Sequence, residues 1–316
     1  MGFHQIALGK SLSKKTVVAL QSAIASDTTK VIRSEWHSIF LVEDQGLAAK
    51  EYPSAEQLTA LKNLYVGTMI RSESGVRCLA LLVDDSRSYL VMPILQSSDQ
   101  PYEAVIRQAI SSLRIFHGDL ENMPVDGEGA FRPEDEVTKK YLELHPEAHI
   151  SSVNYPLEFL FRAVNARKGD RHFRLSRCPS GFIDYVRGMY IELFNRTPKP
   201  VIIHGDARLA NYSEDKFVDY DHVRFGPTEY DFGRLVANKS PLSFQDLGVL
   251  VRACDLDTEF FWKNFLHHSL TLAGYSLGVG IESDYNKYRR MSIDASVVLG
   301  LKELAAQLDA HLPKSG

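Results

Sequence analysis

The sequence has few cysteines and no dominant charge. Three cysteines, Cys78, Cys178 and Cys254, are spread over 316 residues. This spacing fits neither a zinc site nor a disulfide framework and favours a reducing, cytoplasmic location. The 36 basic and 40 acidic residues give a net charge of −4. Because such a chain has no strongly basic field to hold a nucleic-acid backbone, we expect no nucleic-acid partner.

Long apolar runs are also lacking. No stretch approaches the roughly 20 apolar residues that a membrane span needs, and Lys14 and Lys15 interrupt the apolar N-terminal segment. We therefore expect no targeting segment and no membrane partner. Hydrophobic residues make up 44% of the chain and charged residues 24%, which excludes a mostly disordered protein. The length suits two lobes better than one core.

Two kinds of periodicity divide the chain. The first third predicts a five-stranded sheet with one main helix: strands over residues 30–33, 38–44, 46–52, 76–85 and 88–95, and a helix from Ser54. Helical spacing dominates afterwards, over residues 102–116, 134–144, 155–166, 181–195, 243–253, 258–275 and 283–311. We therefore predict an N-terminal nucleotide-binding lobe over residues 1–97. Residues 98–316 would form a C-terminal helical lobe that carries catalysis and acceptor binding.

One strand-like island interrupts the helical part. The apolar run 201–203 leads into a polar loop with Asp206, Arg208 and Asn211, and a tight hairpin returns to Asp219 at the end of another apolar strand. Carboxylate and amide oxygens are ligands that Mg²⁺ accepts, usually together with phosphates. An arginine can neutralise a phosphoryl group, and a carboxylate can take a proton from an attacking hydroxyl. These are the parts that phosphoryl transfer needs.

The motif in this island resembles a known family. His204-Gly205-Asp206 and Asn211 give the pattern H-G-D-x-x-x-x-N, which residues 219–221, 226–227 and 229–231 continue as DYD, GP and EYD. The combination resembles the aminoglycoside phosphotransferase family, small-molecule kinases of the protein-kinase-like superfamily. The resemblance implies an α+β, two-lobed protein-kinase-like fold with a small antiparallel-sheet N-lobe and a larger helical C-lobe.

The resemblance also implies roles for the residues of the island. Asp206 would be the catalytic base, and Arg208 the cation that touches the transferred phosphoryl group. Asn211 and Asp219 would hold Mg²⁺ against the nucleotide phosphates, and Asp221 could share or take the metal role. His204 and Asp231 would be structural, with Asp231 a buried clamp on the catalytic loop.

Further parts of the resemblance lie in the first lobe. Lys50, at the end of the third strand, resembles the lysine that contacts the α- and β-phosphates. Its acidic partner should lie on the next helix, where Glu56 is the best candidate and Glu51 and Glu73 are alternatives. Glu56 lies at the predicted N-terminus of this helix, where an acid also stabilises the helix dipole. Glu56 could therefore have that role instead of pairing with Lys50.

The segment around Met92 and Ile94 would border the adenine with its backbone. The loop over residues 34–38 contains no glycine, so a glycine-rich phosphate cover is absent and the choice of ATP or GTP stays open.

We expect a Mg²⁺- and ATP- (or GTP-) dependent phosphotransferase acting on a hydroxyl of a small molecule. The acidity of the larger lobe would suit an amine-bearing antibiotic, which implies antibiotic resistance, or an amino alcohol. A nucleotide-binding pseudokinase and a protein Ser/Thr kinase are the alternatives. Two further motif copies, His117-Gly118-Asp119 and Asp231-Phe232-Gly233, are interpreted as a helix end and a helix start.

Overall fold

The computed structural model describes residues 3–7, 11–26, 29–33, 37–70, 73–95, 102–120, 180–195, 201–238 and 243–312. The chain divides into two compact units, one of residues 1–152 with 201–225 and one of residues 153–200 with 226–316. The predicted boundary between residues 97 and 98 stays a prediction. The helices predicted over 134–144 and 155–166, and Cys178, lie outside the described residues.

An antiparallel sheet dominates the first unit. Its strands are β1 (His4–Ile6), β2 (Lys30–Arg33), β3 (Ser38–Val42), β4 (Leu47–Pro53), β5 (Ala80–Val83) and β6 (Arg87–Pro93), in the order β1-β5-β6-β4-β3-β2. The described part of the sheet therefore has six strands where the sequence predicted five. The additional strand, β1, pairs with β5 over only three residues, which is too short for alternation to reveal.

The two faces of the sheet differ because side chains alternate along β4. Leu47 and Ala49 pack into an apolar core on one face, together with Leu20 of helix α1 (Lys14–Ile24). Lys50 and Tyr52 point to the opposite face and line a cavity. Helix α2 (Gln57–Met69) packs against β4, β5 and β6.

Helix α3 (Tyr102–Leu120) also lies in the first unit. It continues through His117-Gly118-Asp119, so that this motif copy is helical, and Asp119 accepts a hydrogen bond from Ser74 at 2.9 Å.

The strand and the hairpin predicted around the H-G-D motif lie in the same unit. Strand β7 (Val201–Ile203) pairs with β10 (Arg224–Gly226), and β8 (Tyr212–Ser213) pairs with β9 (Lys216–Phe217). Glu214 and Asp215 between β8 and β9 both have positive φ, as a two-residue hairpin turn requires.

The described part of the second unit is helical. It contains α4 (Ser180–Leu193), α5 (Thr228–Ala237), α6 (Phe244–Ala253), α7 (Thr258–Val279), α8 (Glu282–Val298) and α9 (Lys302–His311). The helical pattern over 283–311 is two helices because Gly300 follows α8 with a φ of 74°, a left-handed conformation that ends a helix. Asp231-Phe232-Gly233 lies inside α5. Within the described ranges, no helix has the length and apolar character to cross a bilayer.

Candidate active site

Strand β7 leads directly into the H-G-D motif. Gly205 has a φ of 79°, and a Cβ atom there would clash with the backbone carbonyl oxygen of His222, so this turn requires glycine. His204 is fully buried, its Nε2 lies 3.0 Å from the Val218 carbonyl oxygen, and its ring packs against Phe116 and Phe217. These contacts describe a histidine that supports the loop.

Asp206 and Asn211 are joined by hydrogen bonds. The Asn211 side-chain amide donates to the Asp206 backbone carbonyl and to its Oδ2, each at 3.0 Å. Since both amide hydrogens are used, the Oδ1 atom of Asn211 is the one available to a cation. Arg208 Nε lies 3.0 Å from Asp206 Oδ2, in an ion pair whose N–H is not aligned as a hydrogen bond. The Arg208 side chain is 39% exposed, so its guanidinium is within reach of a ligand.

Asp219 has an unusual backbone and a close cation. Its φ of 67° and ψ of 68° place it in the left-handed region, where aspartate is tolerated better than most residues. Its Oδ1 accepts a hydrogen bond from Lys50 Nζ at 2.6 Å, while the side chain keeps 31% of its surface exposed. Asp219 and Asn211 both line the cavity that Lys50 lines.

Asp221 accepts hydrogen bonds from several side chains. Its Oδ1 accepts from Tyr52 at 2.8 Å and from Asn63 at 2.7 Å, and its Oδ2 accepts from Lys50 Nζ at 2.7 Å. His37 Nε2 lies 3.5 Å from Oδ2. The Asp221 side chain is only 14% exposed, so protein donors surround the carboxylate.

The three acids considered as helix-side partners of Lys50 lie elsewhere. Glu56 Oε2 lies 3.7 Å from His37 Nε2, with 43% of the side chain exposed. Glu51 forms an ion pair with Arg87, on the sheet face opposite Lys50. Glu73 is exposed. Among the described residues, the acids within ion-pair distance of Lys50 are Asp219 and Asp221.

The cavity has a volume of about 820 Å³, within the range of small-ligand pockets. Its apolar side chains could hold a nucleobase; they are Ile39, Val76, Cys78, Leu90, Met92 and Val218. The Ile94 N–H donates to the Gly46 carbonyl at 2.9 Å. The backbone donor of Ile94 is therefore used within the sheet, whereas Met92 lies on the cavity wall.

Burial and charge shift the pKa values of several groups here. Burial acts to raise the pKa of Asp221, but the Lys50 ammonium and the hydrogen bonds outweigh it and hold the pKa below its usual range. Burial lowers the pKa of Lys62 to about 8, although the nearby Asp221 acts in the opposite direction. Burial, with help from Asp221, raises the pKa of Tyr52 well above its usual range. Asp221 is therefore ionised across neutral pH.

Sequence reasoning missed the residues that surround Asp221. Tyr52, Asn63 and His37 contact its carboxylate, and Lys62 Nζ donates to its backbone carbonyl at 2.8 Å. One signal was present: Asn63, a polar residue, lies among Leu61, Leu64 and Tyr65 on a helix and is 1% exposed. A buried amide needs hydrogen-bond partners, so its position predicts a polar site.

The donor set can accept a magnesium ion. Asn211 Oδ1 and the exposed Asp219 carboxylate are hard oxygen ligands, and Mg²⁺ commonly takes one or two protein oxygens and completes its shell with water and phosphate. Among the described residues, no group of three or more His, Cys, Asp or Glu side chains is placed to hold a metal. A cation here would thus depend on phosphate oxygens. The roles of all the predicted site residues stay predictions.

Comparison with known proteins identifies the fold. No protein-family model matches the sequence, and no curated protein sequence matches it. A choline/ethanolamine kinase family protein from Mesorhizobium loti matches with a TM-score of 0.54 at 14% identity, over 94% of this chain and 98% of that one. A thermostable mutant of aminoglycoside phosphotransferase APH(4)-Ia, in a ternary complex with AMP-PNP and hygromycin B, matches with a TM-score of 0.53 at 13% identity, over 95% and 98%.

A third solved structure, the GDP and kanamycin complex of APH(2")-IIia, matches with a TM-score of 0.50 at 11% identity, over 90% of this chain and 99% of that one. The matches span nearly the whole length of both partners in each pair. The predicted resemblance is confirmed in fold: this chain has the α+β, protein-kinase-like fold of the aminoglycoside phosphotransferases and of choline/ethanolamine kinase.

Proposed function

We propose that this chain is an O-phosphotransferase that moves the γ-phosphoryl group of ATP or GTP to a hydroxyl of a small molecule. The observation that carries the proposal is that Lys50, Asn211, Asp219 and Arg208 line one cavity, with Asp206 held beside it by Asn211 and Arg208. A base, two cations and a pair of metal ligands are the groups that phosphoryl transfer needs. The kinase-like fold supports this reading.

Each protein group has a separate task in this reaction. The acceptor hydroxyl would donate its proton to the Asp206 carboxylate, which Asn211 and Arg208 orient through its Oδ2. The hydroxyl oxygen then forms a bond to the γ-phosphorus while the bond to the β-phosphate oxygen breaks, releasing a nucleoside diphosphate and a phosphate ester. Lys50 and Arg208 balance the phosphate charge. Asn211 and Asp219 would hold Mg²⁺, which supplies further charge neutralisation.

For the acceptor, we propose an amine-bearing antibiotic or an amino alcohol. The solved structures of similar fold include a hygromycin B complex, a kanamycin complex and a choline/ethanolamine kinase family protein.

A nucleoside triphosphate donor also fits the cytoplasmic location expected from the sequence. Within the described residues, neither Cys78 nor Cys254 forms a disulfide.

A phosphorylation screen tests the proposal. The purified chain, ATP or GTP and Mg²⁺ are incubated with a panel of amino alcohols and aminoglycosides, and products are detected by the mass increase of one phosphate. We expect at least one acceptor to be phosphorylated by the wild type and not by Asp206→Ala. Nucleotide binding without Asp206-dependent turnover across the panel would instead support a pseudokinase, the alternative from the sequence.

A further inference from the structure

Lys50 is held by an acid that does not lie on helix α2. Its Nζ donates to Asp221 Oδ2 at 2.7 Å, and the Lys50 side chain is only 8% exposed. The two residues are 171 positions apart. A buried ammonium in this setting needs a counter-charge, since unpaired burial is strongly unfavourable.

Helix α2 reaches the same carboxylate with an amide. Asn63 Nδ2 donates to Asp221 Oδ1 at 2.7 Å, and the same amide also donates to the Thr59 carbonyl at 2.8 Å. Asn63 is 1% exposed. Lys50, Asp221 and Asn63 thus form a continuous buried chain of hydrogen bonds that links the sheet to the helix through Asp221.

The contacts of Asp221 leave it poorly suited to a metal. Both carboxylate oxygens accept hydrogen bonds from protein side chains, and Tyr52 adds a further one at 2.8 Å. Asp219 is different: its side chain is 31% exposed against 14% for Asp221, and within the described part of the chain its carboxylate accepts one hydrogen bond, from Lys50. Of the two acids, only Asp219 can turn toward a cation without stranding buried donors.

We infer that Asp221 is the acidic partner of Lys50 and acts as a positioning residue: it holds the Lys50 ammonium toward the nucleotide phosphates, and Asn63 fixes Asp221 in place. The inference rests on the proposed function, because it assigns a role within the same nucleotide site. Asp219 exchanges its contact with Lys50 for the metal when Mg²⁺-nucleotide binds. Asp221 keeps its contact in both states.

Binding of a fluorescent ADP with and without Mg²⁺ separates the two acids. A positioning role for Asp221 acts through Lys50, so Asp221→Asn should weaken metal-free binding by about 10- to 100-fold, as Lys50→Met does. The combined variant Lys50→Met/Asp221→Asn should be no weaker than the more severe single variant. Asp219→Asn should instead lose the increase in affinity that Mg²⁺ gives, with metal-free binding retained.

Two further variants sharpen the assignment. The exchange Asn63→Asp/Asp221→Asn keeps one carboxylate and one amide in the cluster, and should recover part of the metal-free affinity lost in Asp221→Asn. Glu51→Gln, on the same strand but the opposite face, is the matched control and should leave binding unchanged. If Asp221→Asn does not fold, Tyr52→Phe removes a single hydrogen bond to Asp221 and should weaken metal-free binding by a smaller factor.

A readout without nucleotide keeps the inference testable by itself. Acylation of Lys50 by a small amine-reactive reagent, followed by mass spectrometry, should be several-fold faster in Asp221→Asn, because the ammonium then keeps one of its two carboxylate contacts, the more exposed one to Asp219. Lys30, which is exposed and pairs with Glu43 at 3.4 Å, is the internal standard. A wild type that binds no nucleotide would refute the proposed function, and the acylation result would still decide the role of Asp221.

Three outcomes would overturn the inference. The first is an unchanged Lys50 acylation rate in Asp221→Asn. The second is that Asp221→Asn behaves as Asp219→Asn does, losing only the Mg²⁺-dependent increase in affinity, which would make Asp221 a metal ligand. The third is a loss of metal-free affinity in Glu56→Gln as large as that in Asp221→Asn, which would make Glu56 the partner of Lys50.

Discussion

Asn211 donates both hydrogens of its side-chain amide to Asp206, one to the backbone carbonyl and one to the carboxylate Oδ2, each at 3.0 Å. One residue thereby orients the proposed base and turns its own Oδ1 away from it. The proposed base and the proposed metal ligand are thus joined by hydrogen bonds between two residues five positions apart. This local geometry explains why the spacing H-G-D-x-x-x-x-N indicates that the aspartate and the asparagine lie together in one site.

The first prediction concerns Asp206. Asp206→Asn removes the proton acceptor but keeps an oxygen near Asn211 and Arg208, so nucleotide affinity should be retained. Turnover should fall about 10²- to 10⁴-fold, the usual contribution of a positioned base. Slow nucleotide hydrolysis and calorimetric nucleotide binding measure the two effects without knowledge of the acceptor. Equal turnover in both proteins would remove Asp206 from the mechanism.

The second prediction concerns Asp219, whose φ is 67°. Asparagine tolerates this conformation, so Asp219→Asn should keep the wild-type melting temperature while losing Mg²⁺-dependent nucleotide binding and activity. Asp219→Val places a β-branched residue in the left-handed region and should also lose about 1–2 kcal/mol of unfolding free energy. Chemical denaturation of the two variants side by side provides the comparison. Full stability in Asp219→Val would show that the backbone of this turn can relax.

The local parts of the site could be predicted from the sequence. The apolar strand pattern over residues 46–52 and the family resemblance singled out Lys50, and the short spacing from Asp206 to Asn211 placed these two on one loop. Both positions lie within a single strand or a single loop, whose geometry is set by neighbouring residues. The turn at Gly205 and the β8–β9 hairpin are local in the same sense, and both lie where the sequence pattern predicts a loop and a hairpin.

The partner of Lys50 could not be predicted in this way. The expectation of an acid on the next helix assigned Glu56, which directly precedes α2. The structure instead places Asp221 at 2.7 Å from Lys50 and brings Asn63 of α2 to the same carboxylate. The contact between Lys50 and Asp221 joins residues 171 positions apart, and no local periodicity encodes it. The strand β1 was missed for a related reason, because its pairing with β5 and not its own sequence defines it.

The third prediction concerns Asp231, which lies in the first turn of α5 and is fully buried. Removing a buried carboxylate leaves its partners unpaired, so Asp231→Ala should lower the unfolding free energy by about 2–4 kcal/mol. Glu282→Ala, an exposed acid in the first turn of α8, is the control and should change it by less than about 0.5 kcal/mol. Unchanged stability together with lost Mg²⁺ binding would instead place Asp231 at the metal.

The fourth prediction concerns the choice of nucleobase. The hydrogen bond from Ile94 N–H to Gly46 makes Leu47 and Pro93 a non-hydrogen-bonded pair of the β4–β6 ladder, so the Pro93 carbonyl points away from β4. Strand β5 begins opposite Val91, two residues before Pro93. Pro93 therefore offers an acceptor and, as a proline, no N–H donor.

Met92, the residue before Pro93, lines the cavity. A base seated beside it would meet this acceptor with the 6-amino group of adenine, whereas the 6-oxo group of guanine needs a donor. We expect ATP to bind about 10- to 100-fold more tightly than GTP. Competition of both nucleotides against a fluorescent ADP measures the ratio. Equal affinity for the two would mean that the base does not bind at this edge of β6.

The last prediction concerns stability at acid pH and His267 in α7. Burial lowers the pKa of His267 to about 3, and the charge of Arg234 acts in the same direction. Its Nδ1 lies 2.7 Å from the Tyr190 hydroxyl. Between pH 6.5 and 3 the unfolded chain takes up a proton on this imidazole that the folded chain does not, so the unfolding free energy decreases as the pH falls through this range.

From pH 7 to pH 4.5 the resulting loss is on the order of 2–3 kcal/mol, at about 1.4 kcal/mol for each pH unit below 6.5. His267→Gln cannot take up this proton, and its unfolding free energy should decrease less over the same interval even if it is lower at pH 7. Urea denaturation of both proteins at several pH values measures the difference in slope. Parallel curves would show that His267 binds protons equally in the folded and unfolded states, in conflict with its burial in the helical unit.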